Sequence, residues 1–225
     1  MTAVRIPPLG PVERSRRFAA LGDPHRLSIA EELLRGDRSP AWFVHAWGLP
    51  SNLIAHHVRT LAEAGLIVRT PSEADRRKVY LQLTDQARYL LHAPPLGVQR
   101  VVFVCTHNSA RSQFAEALWR RRSRVPVRSG GTDPADRVHP MARRTARGHG
   151  VDLSLGAPKR VAAADLEHAL VVTVCDRADD STAQPHLHWS IPDPVAVGTG
   201  HAFSASWEAI EERVASLAES AERQP

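Results

Sequence analysis

Cysteine is almost absent from this chain: of 225 residues only Cys105 and Cys175 are cysteine, and both fall in the second half. Two thiols do not make a disulfide framework, so the chain reads as cytoplasmic. No residue before Cys105 offers a thiolate, which excludes a soft-metal or arsenite thiolate site from the first half. Long apolar runs are missing too. Runs such as Val101–Cys105 and Ala169–Cys175 fall far short of the roughly 20 residues a membrane helix needs, so no membrane partner is expected. The N-terminus shows no charged-then-apolar segment of the secretory type. Lysine is scarce as well, with only Lys78 and Lys159 among 29 basic residues. The rest are arginine, whose planar fork suits phosphate and other oxyanions, although a GC-rich genome produces the same bias. Internal repeats are lacking.

What is present suffices for one large or two small cores: 43% of the residues are hydrophobic and 24% charged. The net charge of +5 favours a polyanionic partner without naming one. The stretch HAPPLGV, residues 92–98, places two prolines and a glycine between a helical pattern and a strand pattern. It divides the chain into residues 1–92, a linker at 93–98, and residues 99–225.

The first part reads as mostly helical. RSRRFAALG is amphipathic. DPHRLSIAEELLRG opens on Asp23 as N-cap with Pro24 at the first helical position, and stops at Gly36. SPAWFVHAWGLP is a short helix closed by Gly48, and SNLIAHHVRTLAEAG is a helix that starts at a Ser or Asn cap, Ser51 or Asn52, and stops at Gly65. LIVRTPSEADRRKVYLQL reads as a hairpin with Arg76, Arg77 and Lys78 at its tip, and TDQARYLL as a closing helix. Two short helices across a glycine turn, followed by a basic hairpin, make a winged helix-turn-helix. Ser51, Asn52, His56, His57 and Arg59 are then candidates to face DNA, with Leu53, Ile54, Val58 and Leu61 on the packing face. Arg76, Arg77 and Lys78 would contact phosphate. FAALGDPHRLSIAEELL and IAHHVRTLAEAGLIVR resemble the ArsR family of winged-helix repressors over roughly residues 12–92. That resemblance implies a homodimer bound to operator DNA. The stretch SPAWFVHAW lacks the cysteine pair of the family's arsenic sensors. No metal site is expected: His45 stands alone, and the pair His186 and His188 is short of ligands.

The second part alternates strands and helices, which argues for an α/β three-layer sandwich on a parallel four-stranded sheet. In VCTHNSARSQ, Cys105 ends an apolar strand, Arg111 follows, and Ser112 starts a helix as its cap. A loop between a strand and a helix can turn its N–H groups onto one point, where the helix N-terminus adds positive potential. Arg111 can close that cradle with a bidentate fork. The cradle fits a tetrahedral oxyanion, and the same field favours the thiolate of Cys105, the nucleophilic form. Thr106, His107, Asn108, Ser109, Ala110, Arg111 and Ser112 are therefore the candidate oxyanion-binding loop. Asp193, in SIPDP near the same sheet edge, is placed to donate a proton to a departing oxygen.

VCTHNSARSQFAEALW, SGGTDPADRVHP and HWSIPDP resemble the low-molecular-weight protein tyrosine phosphatase fold, and specifically its arsenate reductase branch. Gln113 after Arg-Ser, and Trp189 ahead of Asp-Pro, are similar to the reductases. The resemblance implies that Cys105 is the nucleophile, Asn108 holds the loop's shape, Arg111 clamps the oxyanion and Asp193 is the general acid. Cys175 matches the cysteine that attacks the arseno-cysteine adduct in thioredoxin-coupled reductases. A third cysteine follows in those enzymes, and here the position is Thr182. His107 and Ala110 also depart from the family's pattern. These features imply arsenate as substrate, phosphate or sulfate as mimics, no bound cofactor, and an external thiol as reductant: mycothiol, glutathione or a similar thiol with a redoxin. The alternatives are a regulator whose second domain senses an oxyanion or redox state without turnover, and a phosphatase for small phosphoesters.

Overall fold

Two hydrophobic cores form, one drawn from residues up to Ala87 and the other from residues beyond Val101. The computed structural model describes residues 10–91, 97–153, 156–182 and 187–222. The chain falls into two compact units, Met1–Ala93 and Pro94–Pro225. Most of the proposed linker, residues 93–96, lies outside the described residues, as do His92 and His186.

The N-terminal unit runs α1 (Pro11–Leu21), α2 (Pro24–Arg35), α3 (Pro40–Trp47), α4 (Ser51–Glu63), β1 (Ile67–Pro71), β2 (Val79–Leu83) and α5 (Asp85–Leu90). Short polar side chains start several of these helices. Asp23 accepts from Arg26 N, Ser39 from Trp42 N and Thr84 from Ala87 N, each satisfying an N–H that the first helical turn leaves open. α3 stops because Gly48 adopts φ 64°, and Gly65 follows α4 at φ 68°, a left-handed geometry that glycine reaches without strain. The expected Ser or Asn cap of α4 is not formed. Pro50 occupies the cap position with no side-chain bond, and Asn52 Oδ1 accepts from its neighbour Leu53 N. β1 and β2 pair antiparallel, Ile67 opposite Leu83, and Arg38 adds a bridge to Leu81. Ile29, Leu33, Phe43, Ile54, Val58 and Leu61 are fully buried between the helices and this hairpin. Each such side chain contributes roughly 1.5–3 kcal/mol by leaving water.

The C-terminal unit runs β3 (Val101–Cys105), α6 (Arg111–Arg122), β4 (Val127–Gly131), α7 (Pro140–Gly148), α8 (Ala163–Leu166), β5 (Leu170–Thr173), α9 (Asp176–Ser181), β6 (Leu187–His188), α10 (Pro194–Val197) and α11 (Gly200–Glu222). All four strands are parallel, in the order β4-β3-β5-β6. The sheet is the parallel four-stranded one expected from the alternating pattern. Both faces of a parallel sheet are covered, so VVFVC is buried along its whole length without alternation. α6 packs on β3 and β4, α11 packs along α6 and α7, and α9 packs against β3 and β5. Phe103, Phe114, Trp119 and Trp207 fill the space between. Val104 pairs with Thr173 in the parallel register, which carries the ends of β3 and β5, and with them Cys105 and Cys175, to the same edge of the sheet.

Candidate active site

The loop from Thr106 to Ala110 leaves β3 at the carboxyl edge of the sheet and delivers the chain into α6, the position where ligands sit in open α/β sheets. It wraps the Cys105 thiol. Asn108 N donates to Cys105 Sγ at 3.1 Å, and Ser112 Oγ lies 3.0 Å from the same sulfur. Ser112 is not the helix cap expected from the sequence. α6 begins at Arg111 with Ala110 in the cap position and no side-chain bond, which leaves the Ser112 hydroxyl free to turn onto the sulfur. The first amides of α6 have no partner within the helix, and a helix N-terminus carries positive potential.

Asn108 fixes the loop. Its backbone sits at φ 48°, a left-handed conformation that Asn tolerates better than most residues. Its buried amide Nδ2 donates to Ser112 Oγ at 2.7 Å and to Ser129 Oγ at 3.0 Å, while Oδ1 accepts from Gln113 Nε2 at 3.1 Å and Lys159 N at 3.0 Å. Ser129 in turn donates to the buried carboxylate of Glu116. Sequence reasoning missed Ser129, Glu116 and Lys159. A signal existed in SGG, because Gly131 has no room for a side chain: a Cβ there would stand 2.6 Å from Thr106 O.

Arg111 is buried and already engaged. Nη1 donates to Ile191 O at 2.8 Å, and Nη2 lies 3.2 Å from Asp193 Oδ2. Asp193 also caps α10 by accepting from Val195 N. The proposed clamp and the proposed acid are thus brought together. His107 turns aside, its Nδ1 on Asp133 O at 2.9 Å. Ser109 and Ala110 are buried within the loop.

Cys175 joins this group. Thr106 N donates to Cys175 Sγ at 3.3 Å, and Thr106 Oγ1 lies 3.4 Å from it. Burial, and then the charge of a Cys105 thiolate, push the Cys175 thiol above the ordinary cysteine value, against the opposing pull of Arg111. Asp176, the next residue, is buried against His188, Nε2 to Oδ1 at 3.1 Å, and His188 Nδ1 meets Thr173 Oγ1 at 2.8 Å. His188 is therefore part of a buried network that anchors the start of α9 beside the second thiol.

A strand-end thiol against a short loop at a helix N-terminus, with a buried arginine in the first turn paired to an aspartate, is an arrangement that could support nucleophilic attack by the thiol. Residues 100–225 match the model of the low molecular weight phosphotyrosine protein phosphatases. The chain belongs to that family. Its relatives within the family include proteins named arsenate reductase. The one from Bacillus licheniformis is 33% identical over 141 residues, covering 56% of this chain and 100% of the relative. Arsenate reductase 2 of Bacillus cereus is 32% identical over 131 residues, covering 54% of this chain and 96% of the relative. Among solved structures, the YwlE mutant from Bacillus subtilis aligns over 54% of this chain and 97% of its own with 22% identity and a TM-score of 0.50, a likeness of fold. The family match and both relatives fall on the C-terminal unit, which is an arsenate-reductase-like and phosphatase-like domain.

In the N-terminal unit, Ser51, Asn52, His56 and Arg59 are exposed together along α4. His57 is not with them, a correction to its expected place on the DNA-facing surface. It is buried, its ring stacked on His25 and its Nδ1 3.7 Å from Asp23 Oδ1. It falls on the stripe of Ile54, Val58 and Leu61, and that spacing was the available signal. Burial pushes the His57 imidazole below its usual value, with Asp23 opposing. At the hairpin tip Arg76 and Arg77 are exposed. Arg77 Nε pairs with Asp75 at 3.0 Å, and its hydrogen bonds hold that carboxyl below the usual range. Lys78 Nζ lies over the Tyr80 ring at 4.8 Å. Among the described residues, no helix is long and apolar enough to cross a membrane.

Proposed function

We propose that this chain joins a thiol-dependent arsenate reductase to a DNA-binding regulator of the ArsR type. The observation that carries the reductase reading is the second thiol against the anion loop, where Cys175 Sγ accepts from Thr106 N. A phosphatase needs one thiol, whereas reduction of As(V) to As(III) takes two electrons, which two thiols supply. The Cys105 thiolate attacks arsenic and displaces an oxygen, which leaves as water once protonated, with Asp193 as the donor. An arriving oxyanion competes with Asp193 for Arg111, and the released carboxyl then sits beside the departing oxygen. Cys175, as thiolate, next attacks Cys105 Sγ. The S–As bond breaks toward arsenic, arsenite leaves, and a Cys105–Cys175 disulfide remains. Two equivalents of an external thiol reduce that disulfide and are themselves oxidised. Because Thr182 stands in the third-cysteine position, a small thiol with a redoxin is the reductant, rather than thioredoxin reached through an internal relay.

The experiment is arsenite release by the purified chain with a small thiol plus its redoxin, set beside thioredoxin plus its reductase. Turnover with the first system is expected. Efficient multiple turnover with thioredoxin alone contradicts the relay argument. Oxyanion binding without turnover under any reductant moves the reading to the sensor, which Thr182 favours.

The DNA reading is supported by α3, the Gly48 turn and α4, by the exposed row Ser51, Asn52, His56 and Arg59, and by the basic hairpin tip. In it, a homodimer places α4 in the major groove and the hairpin on phosphate. Replacing Arg76, Arg77 and Lys78 together is expected to flatten the salt dependence of operator affinity by about 0.9 in slope for each phosphate no longer neutralised. An unchanged slope removes the hairpin from the interface.

A further inference from the structure

We propose that Asp23, His25 and His57 form a binding site for a borderline divalent cation of the zinc class, joining α4 to the start of α2. One carboxylate oxygen and two imidazole nitrogens here lie within 4.8 Å of one another. Among the described residues this is the one such group of three. The two rings stack at 5.3 Å and 22°, and His57 Nδ1 is 3.7 Å from Asp23 Oδ1.

The independent observation is His57 itself. Its ring is buried, with a side-chain exposure of 6%, yet neither Nδ1 nor Nε2 has a hydrogen-bond partner. Buried polar atoms in native proteins are nearly always satisfied. A cation shared with Asp23 and His25 gives one of these two nitrogens a partner. The donor set selects the ion. Two imidazoles and one carboxylate suit zinc, cobalt or nickel, while calcium and magnesium prefer all-oxygen shells. Zinc–nitrogen bonds of about 2.0–2.1 Å place tetrahedral donors about 3.3 Å apart, so the three groups close on the ion by side-chain rotation. His25 is exposed, which leaves a fourth position open to water.

Two features oppose the cation and set its affinity below that of a closed structural site. Asp23 Oδ1 also accepts from Arg26 N, and Arg26 Nη1 stands 3.9 Å from Oδ2. A carboxylate has about four acceptor positions, so the cap and the metal bond coexist. The site does not rest on the reductase or the DNA reading, and tests of those leave it untouched.

Cobalt(II) titrated into the full-length, fully reduced protein is the test, with zinc as competitor. The expected result is one equivalent of cobalt with visible d–d bands, no thiolate charge-transfer band, and displacement by zinc. Asp23→Asn keeps a good helix cap, and His25→Gln alters an exposed side chain, so both variants fold. Each should weaken cobalt binding about tenfold or more, and His57→Phe should abolish it. Equal affinity in both milder variants, a thiolate band, or no binding overturns the proposal.

Discussion

Cys175 shows how one residue takes its chemistry from its neighbours. Its thiol is pushed up first by burial and then by the charge of a Cys105 thiolate, against the opposing pull of Arg111. On the reductase reading, covalent capture of an oxyanion by Cys105 removes the second of these two causes and leaves burial. In Cys105→Ser, the pH midpoint for alkylation of Cys175 should therefore move down from its wild-type value, though burial keeps it above that of a free thiol. An unmoved midpoint would show that the two sulfurs do not sense each other. The same shift acts on stability. Folding retains a proton on Cys175 that the unfolded chain loses near 9.0, so its contribution is full below that value and lost as the pH rises toward the folded pKa. Cys175→Ser, which cannot ionise, should flatten the alkaline limb of a urea-unfolding series by that contribution.

Among the elements, the contact between β4 and the anion loop decides the most. Gly131 ends β4 where Thr106 O and Asn108 crowd any side chain, at 2.6 and 3.2 Å from a Cβ. Because the nearest neighbour is backbone, the loop itself must move. Gly131→Ala is expected to cost about 1–3 kcal/mol in stability and to lose most phosphate or arsenate binding, measured by urea unfolding and isothermal titration. Gly148→Ala is the control: it closes α7, a Cβ there meets nothing within 4 Å, and alanine should be neutral or stabilising by about 0.5–1 kcal/mol. In the other unit the basic tip is not uniform. Arg76 and Arg77 are both exposed, but Arg77 is paired with Asp75. On the DNA reading, Asp75→Asn should therefore strengthen binding at low salt by freeing Arg77, an effect that a filter-binding salt series would show vanishing as screening grows.

For the whole molecule, the separation of cores carries a direct consequence. Every residue of the second core lies at Val101 or beyond and every residue of the first at Ala87 or before. Residues 97–225 expressed alone should fold cooperatively, since a domain with its own core can in principle fold alone, and on the reductase reading should keep the full chain's oxyanion affinity and arsenate reduction within about twofold. Non-cooperative urea unfolding of that fragment would show that it needs the first unit.

The loop around Cys105 was legible in the sequence because its parts are neighbours in the chain: an apolar strand, a thiol, a short turn, an arginine and a helix. Strand and helix periodicity alone were enough to place Cys105, Arg111 and the parallel sheet. What tertiary structure decided is everything that depends on two distant segments meeting. Parallel register brings Cys175 to the loop of Cys105, Asp193 reaches Arg111 across the fold, and Ser129 and Glu116 close the network beneath Asn108. Ser112 looked like a helix cap and is a partner of the thiol, because a hydroxyl bonds whatever the fold sets beside it. His57 looked like a DNA contact and is a core residue beside Asp23 and His25, because each helix step turns the chain by about 100° and sends adjacent histidines to different faces. Residue type and spacing fix which groups are available, but only packing fixes which of them touch.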